Sequence, residues 1–554
     1  MKSIVRDLID NYLKEFSKQS SISLPEDFLY DLEQPKKKEH GDVACNFAFR
    51  LAKAVKQNPV QVAQKARDFF LEICRKDPRF KNAVKDIQVA GPGFLNFFLA
   101  ETVITQVLTQ IWNENENYGS TDFGKNEKVI IEFVSANPTG PLTIAHGRQA
   151  VVGDTLGNLL EKTGHNVYRE YYLNDRGVQI QTLGLSVYLR YLECLGIHRD
   201  FPEKGYQGEY IRDLAKKVLD KEGKKFAAVP EPEAVSYFST FAADTILQDI
   251  QNDLEKLGVH FDNYFSEQTL TDTIGKVLKE LEKRGFTFEQ DGALWFRSTD
   301  FGDDKDRVLR KSNGEYTYLT PDIAYHEEKF NRGFHRIINF WGPDHHGYVP
   351  RVKAACQALG YNPDLVDVLI VQLTTLFRKG EPVRMSTRAG EFVTLKELMD
   401  EVGADATRFF FLMRKIESHL DFDLELAKEK SDENPVFYVQ YAHARICNVL
   451  KFAEIPVDPN ADLTLIHEPE ELAVVKLLAN FPEILNQASE YLEPYRAIDY
   501  LRELSGTFHK FYAKHRVVNP DPELSKSRLF LVACVQRVLR NGLQILGVSQ
   551  PEKM

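Results

Sequence analysis

The pattern of apolar and polar residues changes twice along this 554-residue chain and predicts three parts. In the first part, segments 4–16 and 43–55 carry apolar residues at helical spacing. Segment 87–98 reads as two short strands around a Gly-Pro-Gly turn. The polar segment 113–126 then predicts a boundary. We expect residues 1–118 to form an N-terminal α+β domain.

Nearly continuous apolar residues at 129–134 open the second part, and this pattern is typical of a strand buried on both faces. A strand–helix–strand unit is predicted there, which requires a parallel sheet. Residues 175–290 are mostly charged and helical, and predict an insertion. The predicted elements are strand 129–134, helix 146–162, strand 167–173, strand 316–319, helix 323–330, strand 336–341, helix 349–359 and strand 366–372. Residues 119–393 are therefore expected to form a Rossmann-like, doubly wound parallel-sheet domain.

From Leu395 onward the spacing predicts helices only, separated by prolines at 435, 456, 482, 494 and 520. The fold class is therefore α/β multidomain, with an all-α helical bundle at residues 394–554.

Composition narrows the functional class only slightly. Apolar residues make up 43% and charged residues 27%, as in ordinary globular proteins. The net charge of −11 does not favour binding of nucleic acid by the chain as a whole. A large enzyme can still carry a local basic face. Six well-separated cysteines argue against a disulfide framework and a structural zinc site. We expect a cytoplasmic monomer with no bound metal and no membrane contact.

The turn after the first strand of the sheet, residues 135–148, carries the first candidate chemistry. It reads SANPTGPLTIAHGR and places His146 at the start of a helix. A helix N-terminus that follows a buried parallel strand offers N–H groups and partial positive charge to phosphate. Taken alone, a structural histidine at a helix cap is the better interpretation.

The second candidate is the loop 381–392, EPVRMSTRAGEF, after the last predicted parallel strand. Arg384 and Arg388 suit the charge that develops on transferring phosphates. Taken alone, two solvated arginines are the simpler interpretation. The sequence contains no GxxxxGK[ST] phosphate loop, and no GxGxxG opens a strand–helix unit.

Together the two segments resemble the two signatures of class I aminoacyl-tRNA synthetases. The sequence motifs are most similar to those of bacterial arginyl-tRNA synthetases, and the similarity extends over essentially the whole chain. It rests on SANPTGPL and HGR in the first segment, YLND, TYLTPDIAYH, GPDHHGYVPR, and RMSTRAGEFVTL with GADATRFFFLMR.

The resemblance implies roles for individual residues. Those implied to bind arginine are Glu132, Asn137, Tyr318, Asp322 and His346. Those implied to bind ATP are Pro138, Gly140, His146, Gly147, Gly342, Asp344, His345 and Met385. Those implied to be catalytic are Thr143, His146, Arg384, Ser386 and Arg388. Carboxylates such as Glu132 and Asp322 match a planar guanidinium.

The first signature departs from the family pattern H-x-G-H at two positions. Thr143 replaces the first histidine and Ala145 replaces the glycine. Losing a transition-state donor costs roughly 10²–10³ in rate, although a threonine hydroxyl can donate to the same phosphate. In the second signature, Thr387 stands where a lysine is usual.

The helical part is implied to bind the anticodon of tRNA(Arg), and the N-terminal part to contact the same tRNA. Basic residues interleaved with rings suit unstacked bases, although each single residue is better explained as solvated surface. The candidate residues are Tyr438, Tyr441, Arg445, Lys510, Tyr512 and Arg516.

The implied reaction activates L-arginine with Mg²⁺–ATP and transfers it from an adenylate to tRNA. Activation often needs bound tRNA in this family. Two alternatives stay open: a relative that binds tRNA without charging it, suggested by Thr143 and Ala145, and a class I synthetase for lysine.

Overall fold

The computed structural model describes residues 2–19, 28–33, 35, 38–77, 80–175, 177–383 and 393–554. The predicted site residues Arg384, Met385, Ser386 and Arg388 lie outside the described residues. Across the described parts of the chain, no helix combines the length and apolar character needed to cross a membrane.

The N-terminal part packs helices on one antiparallel sheet of strand order β1-β2-β4-β3. Its elements are α1 (Lys2–Gln19), β1 (Leu32–Glu33), β2 (Val43–Cys45), α2 (Phe47–Val55), α3 (Pro59–Lys76), β3 (Val84–Ala90), β4 (Phe94–Leu99) and α4 (Glu101–Glu114). The prediction of one helix over 43–55 is wrong at its start. Residues 43–45 pair with β4 instead, and the helix begins only after Asn46.

A five-stranded parallel sheet, of order β12-β11-β5-β6-β7, forms the centre of the molecule. Its strands and the helices between them are β5 (Lys128–Glu132), α5 (Ile144–Lys162), β6 (Asn166–Leu173), β7 (Asn263–Ser266), α10 (Leu319–Asn331), β11 (Arg336–Trp341), α11 (Val349–Ala358) and β12 (Val366–Ile370). Strand β5 is central and fully buried at Val129, Ile130 and Ile131. Because parallel strands end at the same edge, Glu132 at the end of β5 lies beside Asn339 of β11.

Two smaller units are inserted between β6 and α10. The first is helical and consists of α6 (Val178–Cys194), α7 (Glu209–Glu222) and α8 (Glu231–Lys256). The second adds an antiparallel sheet to a helix, and consists of α9 (Thr271–Lys283), β8 (Thr287–Gln290), β9 (Ala293–Phe296) and β10 (Arg307–Arg310). Since β7 pairs with β6, the helical segment ends at Lys256 and does not extend to residue 290 as predicted.

The predicted strand 316–319 is also wrong. Within this segment Tyr316 forms one isolated β-bridge, to Arg310, and no strand follows because α10 begins at Leu319. Leu319 and Ile323 are one helical turn apart and both buried, so the apolar pattern here belongs to the helix.

The last part is a helical bundle attached through a short sheet. Its elements are β13 (Thr374–Arg378), β14 (Glu381–Pro382), α12 (Leu395–Val402), α13 (Ala404–Phe411), β15 (Leu420–Asp423), α14 (Leu424–Lys428), α15 (Pro435–Phe452), α16 (Pro469–Glu490), α17 (Tyr495–Lys514) and α18 (Pro522–Ile545).

Two expectations for this last part are wrong. Strand β15 pairs in parallel with β13, so the region after Leu395 is not purely helical. Pro482 lies inside α16 and does not separate two helices. Proline removes one helical hydrogen bond, but Leu478, Phe481 and Leu485 are fully buried around it and hold the helix together by packing.

Candidate active site

The turn after β5 is strained and firmly held. Val134 and Ser135 have φ values of 66° and 41°, which non-glycine residues rarely adopt. The Ser135 hydroxyl donates to Glu132 Oε1 at 3.1 Å and accepts the Tyr172 backbone N–H at 3.0 Å. The Tyr171 hydroxyl donates to the Ala136 carbonyl at 2.7 Å. These bonds fix the direction in which Glu132 leaves the sheet.

Helix α5 begins directly beyond this turn, with Thr143 at its N-cap. The backbone N–H of Thr143 donates to His146 Nδ1 at 3.2 Å, and the Thr143 hydroxyl lies 3.3 Å from the same nitrogen. Burial lowers the pKa of His146 to about 4, so its ring is neutral near pH 7. Because Nδ1 accepts a hydrogen bond, the proton resides on Nε2, which can donate to a ligand.

The same helix anchors the two segments that flank the second signature. Leu395 N–H donates to the Leu142 carbonyl at 2.8 Å, in a bridge that pairs Thr143 with Thr394. The Arg148 guanidinium donates to the Gln372, Ser418 and Lys415 carbonyls at 2.8, 2.9 and 3.0 Å. The structure therefore joins described segments on both sides of the second signature to the N-terminal turns of α5.

An acidic pocket lies beside this point, where β5 and α10 meet. Burial is the main cause that raises the pKa of Asp322 to about 7, and the charges of Glu132 and Glu267 raise it further. Glu267 accepts a hydrogen bond from the Tyr172 hydroxyl at 3.0 Å. Carboxylates this close repel one another unless a cation lies between them. The pocket is therefore suited to a cationic ligand.

Glu132 already has a partner in this structure, because Lys329 Nζ lies 2.6 Å from its Oε2. The Lys329 side chain is fully buried and 12% of the Glu132 side chain is exposed. A carboxylate offers about four lone-pair positions, so Glu132 can accept further hydrogen bonds from a ligand.

The remaining residues expected to bind arginine are more exposed. The Asn137 amide donates to Gln179 Oε1 at 2.7 Å. Tyr318, at the start of α10, is 78% exposed. His346 is exposed in the short helix Pro343–Tyr348. Their exposure places these three side chains outside the buried floor of the pocket.

Among the residues expected to bind ATP, Gly147 lies in close contact with α12. A Cβ at Gly147 would meet Leu395 at 2.6 Å, so the glycine permits close contact with α12. At Gly140, a Cβ would lie 3.2 Å from the Tyr210 hydroxyl, which donates to the Thr139 carbonyl. Pro138 is buried in the same turn.

The other residues expected at the ATP site lie at the end of β11. Gly342 precedes the short helix Pro343–Tyr348. His345 Nε2 lies 3.5 Å from Asp344 Oδ2, and both side chains are more than half exposed.

Three residues of the pocket were missed by the sequence reasoning: Lys329, Tyr348 and Glu267. Tyr348 lies beside Asp322, and the charge of Asp322 raises the pKa of its hydroxyl in addition to burial. Lys329 is seven residues beyond Asp322, on the same face of α10, but helical periodicity alone does not show that its ammonium is buried beside Glu132. Glu267 lies directly after β7, a strand that the sequence did not predict.

The candidate tRNA residues group around His509 between α15 and α17. The rings of Tyr438 and Tyr441 lie 5.0 and 6.1 Å from that of His509. Arg445 donates to the Tyr441 hydroxyl at 2.8 Å and lies over the Tyr512 ring at 5.2 Å.

The other two candidates lie farther along the chain. Lys510 is exposed on α17, on the side away from its buried neighbours Phe508 and Phe511. Arg516 borders a cavity of about 410 Å³ that Tyr512 and the exposed ring of Phe452 also line.

Within the described ranges, one group of side chains has the spacing of metal ligands. It comprises Glu468, Glu470 and His515, whose ligand atoms lie within 4.8 Å of one another. Lys514 Nζ lies 2.6 Å from Glu470 Oε1 and already provides a cation there.

Family models match three consecutive segments of the chain. Residues 3–99 match the arginyl tRNA synthetase N terminal domain, and residues 106–421 match the class I (R) tRNA synthetase catalytic domain. Residues 439–554 match the DALR anticodon binding domain. The order agrees with the order of the structural parts.

Individual proteins agree over the full length. The chain is 47% identical over 560 residues to arginine–tRNA ligase 1 of Halalkalibacterium halodurans, covering 100% of this chain and 99% of that protein. It is 49% identical to arginine–tRNA ligase of Citrifermentans bemidjiense, covering 95% of each.

Solved structures extend the agreement to the fold. A putative arginyl-tRNA synthetase from Campylobacter jejuni matches with a TM-score of 0.78 and 36% identity, over 82% of this chain and 100% of that chain. The Thermus thermophilus arginyl-tRNA synthetase matches the fold over 100% of both chains, with a TM-score of 0.76 and 22% identity. From its sequence, its three matched domains and its acidic pocket beside α5, this chain belongs to the arginyl-tRNA synthetase family.

Proposed function

We propose that this protein ligates L-arginine to tRNA(Arg), using ATP and forming an arginyl-adenylate. The observation that carries the proposal is the acidic pocket of Glu132 and Asp322 next to the N-terminus of α5. A site for a cationic side chain and a site for phosphate thus lie side by side, as amino-acid activation requires.

Glu132 and Asp322 hold the guanidinium of arginine, with Tyr318 covering the mouth of the pocket. Asn137 and His346 bind the α-amino and carboxylate end. This placement directs the arginine carboxylate towards the start of α5. There it attacks the α-phosphorus of Mg²⁺–ATP in line, and pyrophosphate leaves.

The neutral imidazole of His146 donates from Nε2 to the charge that develops on the phosphate oxygens. Thr143, Arg384, Ser386 and Arg388 complete the phosphate contacts. Pro138, Gly140, Gly342, Asp344, His345 and Met385 form the nucleotide site. In the second step a terminal ribose hydroxyl of tRNA attacks the activated carbonyl, and AMP is released.

The tRNA meets the group around His509 in the helical bundle. Tyr438, Tyr441 and Tyr512 provide ring faces for unstacked bases, and Arg445, Lys510 and Arg516 provide charge.

Arginine-dependent ATP–pyrophosphate exchange, with and without total tRNA, tests the function. We expect exchange with arginine, dependent on tRNA, and none with lysine. A signal that depends on lysine, or tRNA binding without any exchange, would overturn the proposal. Thr143→Val adds a test of the residue roles, because it removes the hydroxyl that would help the phosphate contact. We expect slower exchange in this variant with unchanged tRNA binding.

A further inference from the structure

Lys329 is a buried cation whose hydrogen-bonding capacity is used within the protein. Its side chain has no exposed surface. The ammonium donates to Glu132 Oε2 at 2.6 Å and to Asn339 Oδ1 at 2.9 Å, and lies 4.1 Å from the centre of the Tyr325 ring. Two protons go to oxygen acceptors and the third direction faces an aromatic ring, which also stabilises a cation.

The hydrogen bonds that continue from Lys329 reach the backbone carbonyl of Asp322, the residue that carries the second carboxyl of the pocket. Because Asn339 Oδ1 accepts from Lys329, its amide nitrogen donates to His326 Nε2, 3.0 Å away. His326 Nδ1 then donates to the Asp322 carbonyl at 2.8 Å. Burial and the charge of Lys329 lower the pKa of His326 to about 3, which agrees with this neutral form.

This chain of bonds connects β5, β11 and α10 at one place. It fixes Glu132 relative to the backbone of Asp322, and each polar group in it has a partner. A satisfied network of this kind is rigid, and removing one member leaves the others buried and unpaired.

Lys329 also changes the charge that the pocket presents. Its ammonium balances Glu132, which keeps acceptor lone pairs but little net charge towards a ligand. Asp322 then provides the carboxyl whose charge a ligand cation can balance. A guanidinium spreads its charge over a plane of N–H donors and is weakly hydrated, so directed acceptors suit it. A compact ammonium loses more hydration and needs a full localised anion in return.

We propose that Lys329 is a specificity-determining residue, which balances the charge of Glu132 and thereby favours a guanidinium over an ammonium ligand. Lys329 does not touch the reacting atoms, so its effect is on the choice of amino acid. The inference deepens the proposed function, since it rests on the assignment of Glu132 and Asp322 to arginine.

Lys329→Met tests the inference, because it keeps the side-chain length and removes the charge. The readouts are the KM for arginine in tRNA charging and the inhibition constant of free lysine against arginine. We expect the ratio of the lysine constant to the arginine KM to fall by about tenfold or more. Lys276→Met, on the exposed face of α9, is the matched control and should leave the ratio unchanged.

The double variant Glu132→Gln/Lys329→Met separates charge from architecture. With both charges removed, we expect the ratio to return towards the wild-type value, even though arginine binds more weakly. If Lys329 only supports the fold, the double variant will discriminate no better than the single one. Thermal unfolding of each variant shows whether it folds. Should Lys329→Met fail to fold, Lys329→Gln takes its place in both comparisons, because its amide removes the charge but keeps a hydrogen-bond donor for Glu132.

Two results would overturn the inference: an unchanged ratio in folded Lys329→Met, or a double variant that discriminates no better. Failure of the proposed function looks different, since the wild-type protein would then charge no tRNA with arginine.

Discussion

At the scale of single residues, the pocket is governed by where charge is balanced and where it is not. Glu132 has Lys329 as an internal counter-ion, whereas burial raises the pKa of Asp322 to about 7. His326 and His146 are kept neutral by burial, with pKa values of about 3 and 4. Among Asp322, His326 and His146, Asp322 is therefore the one whose charge changes near neutral pH.

Arginine affinity should consequently depend on pH through Asp322. The guanidinium stays charged throughout, and its partner is the ionised carboxylate. As pH falls through about 7, Asp322 takes up a proton and binding weakens, approaching tenfold per pH unit in the acidic range. Above about pH 8 the affinity should level off. Calorimetric titration of arginine between pH 5.5 and 8.5 measures this.

Asp322→Asn is the control for this pH dependence. It should bind arginine weakly and with a flat pH profile between pH 6 and 8. A profile that keeps its slope in this variant would assign the dependence to another group.

The sequence identified those residues that lie in or beside motifs shared with the family, such as Glu132 and Asp322. Lys329 could not be selected in this way, since a lysine in a charged helix is usually solvated. Its burial follows from the position of β11, whose Asn339 lies beside Glu132. That contact between distant segments is absent from any local pattern.

At the scale of elements, α5 acts as the common support of both signatures. Its N-terminal turns carry Thr143 and His146, and Arg148 binds three carbonyls from the segments around β13 and β15. The guanidinium of Arg148 is fully buried. Its three carbonyl partners are partly buried, and each would lose a hydrogen bond from a charged donor if the guanidinium were removed.

Arg148→Met should lower the free energy of unfolding by about 3–5 kcal/mol, because it removes three hydrogen bonds from a fully buried guanidinium to partly buried carbonyls. We also expect kcat of pyrophosphate exchange to fall more than tRNA affinity, since the supports of the second signature shift. Urea unfolding and exchange kinetics measure the two effects. Arg75→Met, at an exposed position of α3, serves as the comparison and should change neither.

The elements that the sequence predicted well are those with long apolar runs. Strand β11 was predicted with its observed bounds, and β5, α5, β6 and α11 within two residues. Strand β15 was missed because its four residues, two of them buried, show too short an alternation. Its pairing depends on β13, more than forty residues earlier in the chain.

At the scale of the whole molecule, Arg408 links the helical bundle to the parallel-sheet domain and to its helical insertion. It is fully buried on α13 and forms an ion pair with Asp154 of α5. It also donates to the Leu546 carbonyl at 2.7 Å, after α18, and to the Leu257 carbonyl at 3.1 Å, after α8. Gly547 has a φ of 65°, and a Cβ there would lie 2.4 Å from the guanidinium, so close packing requires the glycine.

Arg408→Met should destabilise the protein by about 3–5 kcal/mol, because buried Asp154 would keep only the more distant Arg169, at 3.9 Å, and two carbonyls would lose their donor. The double variant Asp154→Asn/Arg408→Met should lose less than the sum of the two single variants. Urea unfolding monitored by circular dichroism compares the three. Additive losses would show that the pair does not couple α5 to the helical bundle.

The junction at Arg408 also has a consequence for the time course of synthesis. Asp154 precedes Arg408 by 254 residues, and Leu546 follows it by another 138. At about 5–20 residues per second, a ribosome needs roughly 10–50 s to pass from Asp154 to Arg408. During this interval α5 exists in the nascent chain without the ion pair between Asp154 and Arg408. The helix that presents His146 therefore gains its last packing contacts only after most of the segment that matches the DALR anticodon binding domain has been translated.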